Sequence, residues 1–175
     1  MTLSNVVLVG VDGSPESGTA LQYAVAEAHR RGARLRVVST YFPEYAVHGR
    51  TQPLTVSEPA IEVDVEAQAR RMVEEALASD ARPLPVEIVV AAGPAAGVLI
   101  DKSGEVDVLV VGHRGRGGFA SMLLGSVSLQ CVLHAHCPVI VVRPTGVTKS
   151  APLAQPVAAG TTESVDGAPT AEPTG

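Results

Sequence analysis

The sequence predicts an α/β protein, with one open, all-parallel β-sheet covered by helices on both faces. Three observations carry this. Short apolar runs alternate along the chain with segments whose apolar residues recur every three or four positions. Strands that alternate with helices require parallel pairing, and the crossovers then cover both faces of the sheet. The core material also fits: 46% of the 175 residues are hydrophobic but only 3% are aromatic, and Trp is absent. Val, Leu, Ile and Ala must therefore fill the interior, as they do where helices pack on a parallel sheet.

In chain order, Val6 to Val11 reads as a strand buried on both faces. Asp12 ends it, Ser14 is a helix N-cap and Pro15 takes the first helical position. Ala20, Leu21, Ala24, Val25 and Ala28 follow at helical spacing, and Arg30-Arg31-Gly32 supplies a basic last turn and a glycine stop. Leu35 to Tyr41 is the second strand, its end at Ser39-Thr40-Tyr41 lying beside the end of the first. Phe42 to Glu58 has no period and contains Pro43 and Pro53, with Pro59 just beyond, so it reads as a long connection of the kind that often carries function.

A second helix is marked by Ile61, Val65, Ala69, Met72, Val73, Ala76 and Leu77 and ends near Asp80. Pro83 and Pro85 punctuate before a third strand, Val86 to Val90. Gly93-Pro94 opens a third helix bearing Val98, Leu99 and Ile100, which closes near Gly104. Asp107 leads into a fourth strand, Val108 to Val111; a fourth helix runs from Ser126 to His134, and a fifth strand from Val139 to Val142. Residues 1–145 thus form one domain. From Gly146 to Gly175 the period is lost among Pro, Ala and Thr, which reads as a disordered tail.

The chemistry concentrates after the fourth strand. Gly112, Gly115, Gly117 and Gly118 fall within seven residues, and Gly125-Ser126 gives a second turn signal. A strand running into such a loop and then into a helix N-terminus aims several free N–H donors at one spot, an arrangement suited to phosphate. Arg114 and Arg116 add positive charge, and Ser126 and Ser128 add hydroxyls. Neither of the two common phosphate motifs is present. Gly112 and Gly117 have the P-loop glycine spacing, but Gly118 stands where the lysine belongs. After the first strand the chain reads Asp12-Gly13-Ser14-Pro15, which is no dinucleotide fingerprint.

The spacing Gly112-x2-Gly115-x9-Gly125-Ser126 resembles that of the nucleotide-binding universal stress proteins. Val9-Gly-Val-Asp-Gly-Ser14 and Cys137-Pro-Val-Ile-Val-Val-Arg-Pro144 are similar to that family's first and last strands, so the resemblance spans roughly Asn5 to Pro144. It implies a five-stranded, Rossmann-like sheet of order 3-2-1-4-5, with the first and fourth strands side by side where strand order reverses and ligands bind. It implies a site for an adenine nucleotide, ATP, drawn from Gly10, Val11, Asp12, Thr40, Val111, Gly112, His113, Arg114, Gly115, Gly125, Ser126, Val127 and Ser128. Val11 and Thr40 match positions that line the adenine. It also implies a homodimer paired antiparallel through Val139 to Val142, an apolar edge strand of the kind that invites pairing.

Asp12 has two readings. Its carboxylate contacts the nucleotide directly or through Mg²⁺, an oxygen-seeking ion, or it bonds the turn at Gly13-Ser14. A side chain at position 115 is expected to fill the space the phosphates need. His134, His136 and Cys137 cluster, but no second ligand pair stands at zinc spacing, and a helix end followed by a strand start accounts for them. Cys131 reads as a small core residue and both cysteines as free thiols of a cytoplasmic protein.

A net charge of −5 argues against broad nucleic-acid binding. No apolar run nears the roughly 20 residues of a membrane span, and the N-terminus lacks the basic region of a signal peptide. Among function classes, an ATP-binding regulator of a stress response fits best. A slow ATPase or phosphotransferase is the enzymatic alternative, and an interaction protein binding another adenine nucleotide, such as AMP or cyclic AMP, is the third.

Overall fold

A computed structural model describes residues 5–42, 58–78, 80, 82–117 and 123–144. The tail expected over residues 146–175 and most of the long connection, residues 43–57, lie outside the described residues. Nine elements alternate along the chain: β1 (Val6–Gly10), α1 (Pro15–Arg31), β2 (Arg34–Tyr41), α2 (Glu58–Leu77), β3 (Val86–Ala92), α3 (Ala95–Ser103), β4 (Val108–Gly112), α4 (Ser126–His134) and β5 (Val139–Val142). The five strands pair in parallel in the order β3-β2-β1-β4-β5.

Local chemistry sets the boundaries. The Ser14 hydroxyl accepts from the Ser17 N–H and caps α1, while Pro15 occupies the first turn, where its missing N–H costs nothing. Gly32 closes the helix in the left-handed region, φ 60°, and its N–H donates to carbonyls of the last turn. Strand β3 runs two residues past the expected Val90, because Ala91 and Ala92 continue the ladder opposite Thr40 and Tyr41. Helix α2 begins at Glu58, earlier than its apolar period suggests, and takes Pro59 into its first turn, the place where proline is tolerated.

Alternation along β1 divides the core between two faces. Val7 and Val9 point toward α1 and α2, where they meet Leu21, Ala24, Ala28, Ala69 and Val73. Val6 and Leu8 point the other way, toward Leu99 of α3 and Cys131 of α4. Small residues on α1 and α2 let the helices approach the sheet closely. Each fully buried Val or Leu contributes about 1.5–3 kcal/mol.

The seam between β1 and β4 is pinned at its lower end by Asp107. Its carboxylate accepts from the Val6 N–H at 2.8 Å, and its own N–H donates to the Val6 carbonyl at 3.0 Å. At the upper end their pairing stops at Val9 and Val110.

Candidate functional site

Helix α1 leaves β1 toward β2 and α4 leaves β4 toward β5, so a crevice opens above the carboxyl ends of the central pair. It is a cleft of about 510 Å³. Every site residue named from the sequence lines it except His113. Val11, Val38 and Leu99 make an apolar wall, and the glycine loop with the start of α4 makes a polar one.

Asp12 stands where the walls meet. One carboxylate oxygen, Oδ1, accepts from the Ser14 N–H at 3.0 Å and from the Ser14 hydroxyl at 2.6 Å. The other, Oδ2, accepts from the Arg116 N–H at 3.0 Å. Burial pushes this carboxyl up, but the bonds from Ser14 and Arg116, with the Ser17 hydroxyl beside it, outweigh burial and hold it below the ordinary carboxylate range. The turn-bonding reading of Asp12 therefore describes its protein contacts, and the same carboxylate also ties the β1 turn to the glycine loop 104 residues away.

The loop is closed on itself as well. The Gly125 N–H donates to the His113 carbonyl at 2.7 Å, and the His113 N–H donates to the Val142 carbonyl at 2.8 Å. A Cβ at Gly125 would stand 3.2 Å from the Arg114 backbone, a tight contact that a side chain there could make only if the loop gave way by a few tenths of an ångström. At Gly115 a Cβ would stand 2.5 Å from Asp12 Oδ2, closer than real Cβ atoms approach anything. The first obstacle to a side chain at 115 is thus the protein's own carboxylate, not only a ligand.

Two residues take roles other than those expected. His113 acts through its backbone and its side chain is not part of the cleft wall. Burial, then the Arg114 and Arg143 cations, lower its pKa below the usual histidine value. Ser128 lines the cleft, but its buried hydroxyl donates to the Gly112 carbonyl at 2.5 Å, fastening α4 to the end of β4. Ser126 is different. Gly125 is the N-cap of α4 and Ser126 the first helical residue, exposed, with no hydrogen bond from its hydroxyl to any described residue.

Sequence reasoning missed Ser17, Val38, Ser39, Val65, Gln68, Ala95 and Leu99. Ser39 was legible in principle, as it sits at the mouth of β2, and its hydroxyl donates to the Val11 carbonyl at 3.1 Å. Val65 and Gln68 carried no signal, because they come from α2, whose face toward the cleft is set by tertiary packing. His134 ends α4 and Cys137 precedes β5, as expected.

For a metal, Asp12 is the one carboxylate among the described lining residues, and both its oxygens already accept hydrogen bonds. No group of three or more His, Cys, Asp or Glu side chains suited to a metal occurs among the described residues. That set fits an ion brought in on phosphate oxygens, the usual habit of Mg²⁺, rather than one caged by protein.

The chain resembles known proteins along nearly all of this architecture. The profile of the universal stress protein family matches residues 4–143. A universal stress protein of Mycobacterium tuberculosis is 36% identical over 180 residues, covering 94% of this chain and 54% of the relative. A second from the same organism is 42% identical over 142 residues, covering 78% and 45%. The chain thus spans about half the length of the curated relatives it matches.

Among solved structures, the universal stress protein UspA of Lactobacillus plantarum superposes with a TM-score of 0.64 at 24% identity, over 82% of this chain and all of that one. A universal stress protein solved in complex with cAMP aligns with a TM-score of 0.58 at 26% identity, over 79% and 96%. One from Archaeoglobus fulgidus, solved in complex with dAMP, aligns with a TM-score of 0.52 at 21% identity, over 77% and 94%. Sheet order, glycine-loop spacing and a match running from residue 4 to residue 143 lead to one conclusion: this chain belongs to the universal stress protein family.

Proposed function

We infer that the cleft binds an adenine nucleotide, ATP in particular, and that the chain serves as a nucleotide-binding regulatory protein in a stress response. The observation that carries this is the meeting of two walls in one cleft. An apolar slot at Val11, Val38 and Leu99 suits a base, and a glycine loop beside the N-terminus of α4, with the exposed Ser126 hydroxyl, suits phosphates. The cleft volume falls within the roughly 300–1,000 Å³ typical of small-molecule sites. Two structural neighbours were solved with adenine nucleotides, which supports the same class of ligand. Mg²⁺ carried on the phosphates has Asp12 as its protein carboxylate.

Binding is favoured over turnover. Phosphoryl transfer needs a charge clamp, a positioned nucleophile and an acceptor site, and the described lining holds no lysine and a single carboxylate. The deciding experiment denatures purified protein and weighs the small molecule released. ATP is expected; ADP appearing from added ATP favours the hydrolase, and no adenine nucleotide at all refutes the reading.

The same inference includes a homodimer. Strand β5 is an edge, half-buried along all four residues. On α4, which packs beside it, Leu129, Val132 and Leu133 are 42%, 50% and 61% exposed at helical spacing. A second copy paired along β5 covers both. Sedimentation at micromolar protein is expected to give a dimer, and monomer alone refutes it.

A further inference from the structure

Arg116 is held at two points by acceptors of different strength. Its backbone N–H donates to the ionised Asp12 carboxylate, while its guanidinium Nη2 donates to the neutral amide oxygen of Gln68, also at 3.0 Å. Gln68 belongs to α2 and Arg116 to the glycine loop, two walls of the cleft separated by 48 residues in sequence. Both side chains lie across Gly13, where φ is +82° and an added Cβ would collide with Gln68 Nε2 and Arg116 Nη2. The bridge therefore occupies space that a side chain at position 13 would need.

Each anchor pairs one charged group with one neutral one, the backbone N–H with the Asp12 carboxylate and the guanidinium with the Gln68 amide oxygen. A guanidinium gains more from an anionic oxygen, where both partners are charged and two parallel bonds can form, than from a neutral amide oxygen. Arg116 is exposed, so moving its guanidinium from an amide to an anion gives up little. The fork of a guanidinium also matches phosphate geometry, which an amide oxygen engages with one bond only.

We propose that Arg116 reads phosphate charge in this cleft: on nucleotide binding its guanidinium leaves Gln68 Oε1 for a phosphate oxygen, and affinity rises with the charge of the phosphate chain. ATP and ADP then rank above AMP, and AMP above cyclic AMP, whose phosphodiester carries a single negative charge whereas an open monoester carries about −1.5 to −2 at neutral pH. Gln68 is a resting partner that keeps Arg116 over the cleft mouth without competing with phosphate. The proposal rests on the nucleotide reading of the cleft.

The test is calorimetric titration of the full chain with ATP, ADP, AMP and cyclic AMP, in chelator so that no divalent cation masks phosphate charge. The wild type is expected to follow the ranking above. Arg116→Gln is expected to weaken ATP roughly tenfold or more while weakening cyclic AMP much less, and Arg116→Lys to restore part of the loss. Gln68→Leu is expected to weaken ATP less than Arg116→Gln does.

Equal losses for ATP and cyclic AMP in Arg116→Gln overturn the proposal, because they mark Arg116 as a loop support. A loss in Gln68→Leu as large as that in Arg116→Gln also overturns it. A wild type that binds these nucleotides without ranking them defeats this proposal alone. A wild type that binds none of them defeats the nucleotide reading, and this proposal with it. Thermal melts accompany each variant; where Arg116→Gln lowers the melting temperature, the ATP-to-cyclic AMP ratio of Arg116→Lys decides.

Discussion

Replacing Gly115 by alanine tests the link between the glycine loop and β1. The new methyl group would stand 2.5 Å from Asp12 Oδ2, whereas ordinary contact begins at 3.4 Å, so the carboxylate must retreat by about 1 Å. Oδ2 now accepts from the Arg116 N–H at 3.0 Å, and such a retreat breaks that bond. A hydrogen bond to a charged group contributes about 1.5–3 kcal/mol. Arg116 is exposed and water replaces part of the interaction, so the expected loss is about 1 kcal/mol. The bonds from Ser14 to Oδ1 survive if the carboxylate pivots about that side.

Gly117→Ala is the control, because a Cβ there meets no described residue within 4 Å and its φ lies outside the left-handed region. Urea unfolding monitored by circular dichroism reads both variants. Gly115→Ala is expected to lower the midpoint with an unchanged slope, and Gly117→Ala to leave it in place. Equal stability of the two variants would refute the role given to the Asp12–Arg116 bond.

Two serines two residues apart are expected to behave oppositely. Ser128→Ala strips the buried Gly112 carbonyl of its donor and costs about 1–3 kcal/mol of stability; Ser126→Ala leaves the thermal melt unchanged and weakens ATP roughly 10- to 100-fold by titration calorimetry. Affinity loss confined to Ser128→Ala would reverse these assignments. Asp12 adds a pH dependence. Because its folded pKa is depressed, its stabilisation is fully present above the unfolded value of 3.8 and is lost as pH falls through the folded one. The stability gap between wild type and Asp12→Asn, followed by urea unfolding across pH, should therefore narrow below pH 3.8, and a gap that widens on acidification counts against it.

Much of the fold was legible because its signals are local. Ser14, Pro15 and Gly32 mark the ends of α1 by side-chain and backbone chemistry that acts within one turn. The runs in β1 and β4 read as doubly buried strands because no polar residue interrupts them, and they are buried on both faces. The glycine loop was legible as a motif, but its internal bonding was not. That Ser128 turns inward to Gly112, and that His113 serves through its backbone, depends on how α4 settles against β4. Gln68 illustrates the limit most clearly. Its own segment reads as an amphipathic helix, and only the tertiary placement of α2 brings it to Arg116.

The pairing of β1 with β4 also fixes an order of events during synthesis. Val7 lies opposite Val108, and the Asp107 clasp on Val6 joins residues 101 apart. At a ribosomal pace of roughly 5–20 residues per second, β4 emerges roughly 5–20 s after β1. Strand β1 can pair with β2 well before that, because Val6 lies opposite Arg34. For those seconds the nascent sheet has an open flank of valines where its future centre will be, and closing so long a loop is a slow step. The cleft forms only when this flank is filled, so a molecule that occupies it selects chains whose central seam has already closed.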